Sequence, residues 1–183
     1  MDDRLDAPDD VAEWMGVIIN DAGNIIEIDW ETVYLEEAIQ MELLPLTLSA
    51  LMLAGNHLSG SLLLTALAPA LQVLNCSNSF DRGEISLVCL PVGLKHPSIS
   101  GNVLTGSVDF AHLPPELGDL NLSINRFSVP VSLTRLPRTF RGLFPFQNDF
   151  SGWTDFSQLP KSLRLLNVSE TRFEGEAQQR FVN

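Results

Sequence analysis

The stretch Leu48-Ser49-Ala50-Leu51-Met52-Leu53-Ala54-Gly55-Asn56-His57-Leu58-Ser59-Gly60 decides how this chain folds. Leu51 and Leu53 are two residues apart, so in an extended segment both side chains point to one side. Asn56 can bury its amide and bond the backbone of a neighbouring turn of chain. Gly60 permits a tight bend out of the segment. Such a unit has one apolar face and nothing of its own to cover it.

The unit recurs. Leu48, Leu71, Leu94, Leu117, Phe140 and Leu163 are each 23 residues apart. The third unit reads Leu94, Pro97, Ile99, Asn102, Leu104, Thr105, Gly106, and the fourth Leu117, Leu120, Leu122, Asn125, Phe127, Ser128. The fifth reads Phe140, Leu143, Pro145, Asn148, Phe150, Ser151, Gly152, and the sixth Leu163, Leu166, Val168, Thr171, Phe173, Glu174, Gly175. Leu90-Pro91, Leu113-Pro114, Leu136-Pro137 and Leu159-Pro160 close successive units. Later apolar residues (Val108 and Phe110, or Phe156) close the core from the other side. No unit can bury its face alone, so the copies stack into a solenoid with short parallel strands on its concave face and loops or 3-10 turns on its convex face. In unit two, Asn78 and Phe80 come one place early, which predicts a local slip of the coil. Pro97 and Pro145 stand at leucine positions and predict short or distorted strands, because proline donates no ladder bond. Val129 replaces a glycine and Thr171 the last asparagine.

These repeats resemble the leucine-rich repeat family over roughly residues 25–176, and the resemblance implies a right-handed solenoid. The pattern Asn-x-Leu/Phe-Ser-Gly, followed by Asp-Phe-x-x-Leu-Pro, is most similar to the 23-residue repeats of kinetoplastid proteins, surface antigens among them. The segment from Trp14 to Trp30 resembles the amino-terminal cap of plant-type and kinetoplastid repeats. Ile28 and Trp30 stand there in the leucine positions of a half-repeat. The domain reading is an acidic arm and cap over residues 1–47, then six repeats over residues 48–183. Secreted relatives usually carry cysteines in the cap; none occurs in Val17-Ile18-Ile19-Asn20.

Charge follows the same boundary. The 183 residues carry 11 basic and 23 acidic side chains, a net charge of −12. Residues 1–42 hold 13 acids and one base, Arg4, whereas residues 43–183 hold 10 of each sign. The absence of a basic surplus argues against nucleic acid and against anionic membrane surfaces. No apolar run is long enough to span a bilayer, and the first ten residues are unlike a secretory leader. With only Cys76 and Cys89, expected as buried reduced thiols, the reading is a cytoplasmic monomer. A surface or secreted antigen-like protein whose leader is missing is the alternative.

Residues between the leucines should line the concave face. One column reads Met52, Asn75, Ser98, Asn121, Phe144, Asn167, and the next Ala54, Ser77, Ser100, Ser123, Phe146, Ser169. Phe144 and Phe146 break a small polar pattern, and with Arg141 and Arg164 they suggest an aromatic anchor with a basic rim for a protein partner of unknown identity. The competing reading has Pro145 distort the strand and turn one phenylalanine inward. Glu27, Asp29 and Glu31 alternate and lead onto the same face. They would either steer a basic partner or keep the end of the array solvated. Asn75, Asn121 and Asn167 each begin an Asn-x-Ser sequon, which the repeat pattern itself explains. His96 and Asp119 are one unit apart and could meet, but a pair without a nucleophile is weak evidence for catalysis. The chain therefore reads as non-catalytic, with no cofactor and no metal. Bacterial effector ligases with Leu-Pro-x-x-Leu repeats suggest a targeting module instead. Those need a domain with a reactive cysteine after the repeats, and none is read before Asn183.

Overall fold

The computed structural model describes residues 11–60, 62–79 and 82–176. The acidic arm expected over residues 1–10, Phe80, the tail beyond residue 176 and the side chain of Cys89 lie outside what is described. Among the described residues the strands are, in chain order, β1 (Val17–Ile19), β2 (Ile25–Asp29), β3 (Ala50–Met52), β4 (Val73–Asn75), β5 (Gly83–Ser86), β6 (His96–Ser98), β7 (Leu104–Ser107), β8 (Asp119–Asn121), β9 (Gly142–Phe144), β10 (Ser151–Asp155), β11 (Leu165–Leu166) and β12 (Arg172–Glu176).

One eight-stranded sheet, ordered β1-β2-β3-β4-β6-β8-β9-β11, runs the length of the molecule. Seven of its strands are parallel and step by one unit, as in Ala50↔Val73 and Val73↔His96. The eighth differs: β1 returns antiparallel on β2, Val17 opposite Ile28, and covers the edge that the first coil would otherwise leave open. The periodic leucines form the core; Leu48, Leu71, Leu94, Leu117 and Phe140 are almost wholly buried. Phe127, Phe150 and Phe173, also one unit apart, stack beneath them with centroids 5.5 and 6.2 Å apart. The fold is a leucine-rich repeat solenoid of parallel strands. No helix among the described residues is long and apolar enough to cross a membrane.

The asparagines form the expected ladder. The Nδ2 of Asn102 donates to Ile99 O in its own coil and to Cys76 O in the coil before. Asn56, Asn125 and Asn148 repeat both bonds. Unit two corrects the expected slip. Its register is unbroken, and Ser79, not Asn78, occupies the ladder site, with its hydroxyl donating to Leu53 O at 2.5 Å. Asn78 occupies the position before the ladder, where every coil turns left-handed. Thr32, Gly55, Asn78, Gly101, Ile124, Gln147 and Glu170 all have φ between 52° and 71°. Asparagine tolerates that conformation better than most residues, and this explains its place.

Both prolines withhold their missing donor from the following coil. Lys95 O accepts from Asp119 N and Ile99 N donates to Asn121 O, so Pro97 between them faces β8. There the pairing shrinks to Ser98↔Asn121, while three pairs persist towards β4. Pro145 likewise faces β11, a strand of two residues.

On the return path, short 3-10 turns begin at Met41, Leu64, Leu87, Phe110 and Phe156. Ser86, Asp109 and Asp155 cap three of them by accepting from the backbone N–H two residues on. The convex side carries more than the loops and turns expected of it. Strand β5 pairs in parallel with β7, and β10 with β12. Between these pairs, the Val129-Pro130 substitution leaves a single bridge, Pro130↔Ser151.

Candidate partner-binding face

The sheet register sorts the outward residues into three columns. Glu27 pairs with Ala50 and Asp29 with Met52, so Glu27, Ala50, Val73, His96, Asp119, Gly142 and Leu165 form the first. The second runs Asp29, Met52, Asn75, Ser98, Asn121, Phe144. Glu31, Ala54, Ser77, Ser100, Ser123 and Phe146 continue in step as the third. The three acids therefore head the three columns at one end, and the two phenylalanines stand near the other. Five coil steps of about 4.8 Å separate Glu27 from Gly142, about 24 Å.

Pro145 decides the orientation of the phenylalanines. It is buried, taking the core-facing site, and Phe144 and Phe146 on either side are half-buried on the concave face. Neither phenylalanine turns into the core. Gly142, which the sequence did not single out, makes room for Phe144. A Cβ on residue 142 would stand 3.0 Å from Phe144 Cε2 and 2.6 Å from Asp119 Oδ1. The ring thus lies back over Gly142 in its own strand.

Asp119 is shared between that contact and His96, whose Nδ1 lies 3.0 Å from Asp119 Oδ2. Both side chains are well exposed, and His96 leans over Gly118, where a Cβ would stand 3.3 Å from its Cε1. Arg141 and Arg164 are exposed at the strand entrances, with Arg164 N donating to Arg141 O at 2.7 Å. At the acidic end, Glu31 Oε1 accepts from Asn75 Nδ2 at 2.6 Å across the small Ala54.

The central floor is small and hydroxylated. The Ser77 hydroxyl meets those of Ser98 and Ser100 at 2.7 and 3.1 Å. Asn121 and Asn167 spend their Oδ1 on the N–H and hydroxyl of the serine two residues on. The Asn-x-Ser triplets therefore close a local side-chain turn within their coils. Cys76, beneath this floor, is a fully buried free thiol whose pKa burial pushes up to about 12. Among the described residues no group of three or more His, Cys, Asp or Glu side chains could hold a metal ion.

No protein-family model matches this chain, and no curated protein matches it. Solved structures do. In the PEPR1–AtPEP1 crystal structure, a leucine-rich repeat chain is 26% identical to this one, with a TM-score of 0.50. The match covers 70% of this chain and 19% of that one, so this chain spans about a fifth of that protein's length. The likeness agrees with the sheet and ladder: this is a leucine-rich repeat solenoid, similar to a repeat array that is crystallised with a partner.

Proposed function

We propose that the chain is a non-catalytic recognition module that binds a protein partner on its concave face. The observation that carries the reading is the pair Phe144 and Phe146, both turned outward around a buried Pro145. The same columns hold only Asn and Ser in the second, third, fourth and sixth units. Two aromatic rings beside Arg141 and Arg164 supply the residue types that dominate interface energetics. Asn121, His96 and Asp119 form the polar floor next to them, and Glu27, Asp29 and Glu31 engage the far end of the partner. The likeness to PEPR1, crystallised with AtPEP1, supports a binding role.

The module acts as a monomer in a reducing, cytoplasmic setting. The cysteine-free cap and the buried Cys76 thiol support the setting, and β1 over the first coil supports the monomer. The Asn-x-Leu/Phe-Ser-Gly pattern supports kinship with kinetoplastid-type repeats, and the charge boundary supports a division near residue 47. The test is a paired capture from source cells with wild type and with Phe144→Ser/Phe146→Ser. Proteins retained by the first and lost by the folded second variant are the expected result; identical capture by both rejects the reading.

A further inference from the structure

The six units share one turn at the strand entrance. Leu48, Leu71, Leu94, Leu117, Phe140 and Leu163 each donate their backbone N–H to the carbonyl three residues earlier, on Pro45, Ala68, Pro91, Pro114, Pro137 and Pro160. The residue after that carbonyl is Leu46, Pro69, Val92 and Pro115 in the first four turns, then Arg138 and Lys161 in the last two. Three residues on, the column reads Ser49, Gln72, Lys95 and Gly118, then Arg141 and Arg164. Adjacent coils thus place four cations at two repeated positions, Arg138 above Lys161 and Arg141 above Arg164. All four are exposed, and among the described residues none has an ion-pair partner. Asp119, the carboxylate beside Gly142, is held by His96 instead.

Four like charges with no ion-pair partner among the described residues repel one another, and the coil step of about 4.8 Å is shorter than the Debye length of about 8 Å at physiological salt. They therefore act on a ligand together. Arginine pairs bind carboxylates in a fixed fork, which favours a run of Asp and Glu side chains. The ring of Phe144, lying over Gly142 in the coil that Arg141 enters, adds an apolar surface on the same strand. The geometry points to an acidic peptide segment carrying an apolar side chain as the occupant of this corner, its carboxylates on Arg138, Arg141, Lys161 and Arg164 and its apolar group on Phe144. This rests on the concave-face reading and names the chemistry of the partner at one end. The acids Glu27, Asp29 and Glu31 at the other end repel such a segment, so the two ends together set the direction in which a partner lies.

The preference runs against the chain's net charge of −12, so a non-specific charge effect would select the opposite peptides. The experiment is selection of a displayed random dodecapeptide library on the full chain. It is run in parallel on Arg138→Glu/Arg141→Glu/Lys161→Glu/Arg164→Glu and on the neutral version with Gln at the same four positions. Wild type is expected to enrich acidic peptides containing an aromatic or large aliphatic residue. Their affinity should fall at least tenfold in the Gln variant and further in the Glu variant. Enrichment of neutral or basic peptides, or equal binding of acidic peptides by all three proteins, overturns the inference. If the enriched peptides are not acidic yet lose binding in Phe144→Ser/Phe146→Ser, this inference fails and the concave-face reading stands. If no sequence is enriched, both fail.

Discussion

Phe144 rests on Gly142, two residues back in its own strand, in a space that a single methyl group would close. The atoms that such a group would meet belong to two side chains able to turn, so Gly142→Ala should cost the fold little, about 1 kcal/mol or less. The ring of Phe144 and the carboxylate of Asp119 should move instead. NMR spectra of the variant are expected to show shifted Phe144 ring and His96 signals with the rest of the spectrum retained. Unmoved Phe144 signals would contradict the contact.

Ile124 is the costly member of the left-handed series. Its φ is 55°, it is branched at Cβ, and its side chain is about half exposed, so it gains little packing in return. Ile124→Gly should raise stability by about 0.5–1 kcal/mol, after allowing for glycine's extra freedom in the unfolded chain. Chemical denaturation would read the gain as a higher midpoint at constant slope.

The ladder residues should not be equivalent. Asn125 donates to Ile99 O, Leu122 O and Ser123 O and accepts from Leu104 N, all in the interior. Asn125→Ala strands several buried groups and should cost about 2–3 kcal/mol. Ser79 reaches back to Leu53 O but makes no bond to Cys76 O, the bond that its own coil's asparagine would supply. Ser79→Ala should cost less, about 1 kcal/mol. Urea unfolding of the two variants side by side tests the order.

Stability should change at both ends of the pH scale. Asp109 accepts from Ala111 N and from His112, and Asp155 accepts from Ser157; these bonds hold both carboxyls below the usual carboxylate value. A lowered folded pKa stabilises above the ordinary value and loses that contribution as pH falls through the folded one. Asp109→Asn/Asp155→Asn should therefore flatten the acid limb of a stability–pH curve. Cys76 has the opposite sign. Its pKa rises from 9.0 to about 12, so stability declines as pH climbs across that interval, and at pH 8 iodoacetamide should modify Cys76 only on unfolding.

The 23-residue period made the strands, their columns and the asparagine ladder legible, because stacking turns a spacing in the chain into a neighbour in space. His96 and Asp119 meet for that reason. Residues that act through what they lack were harder to see. Gly142 leaves no mark in a leucine pattern, yet it directs Phe144. Asn78 drew attention as an asparagine near a ladder site, although a serine hydroxyl can fill that site and the preceding slot asks only for a left-handed backbone. The antiparallel β1 lies outside the period, and in the convex pairs β5–β7 and β10–β12 the repeated Gly positions read as bends although the backbone there pairs as strand.

Affinity for a captured partner or a selected peptide, measured by calorimetry on three folded proteins, tests the central claim most directly. Two hot-spot rings at about 2 kcal/mol each predict that Phe144→Ser/Phe146→Ser weakens binding by roughly a thousandfold where the two contributions add. Trp153→Ser, which removes the exposed tryptophan of β10 outside the concave sheet, should leave it unchanged. Equal affinity for wild type and the phenylalanine variant, or a loss on changing Trp153 alone, would contradict recognition on the concave face.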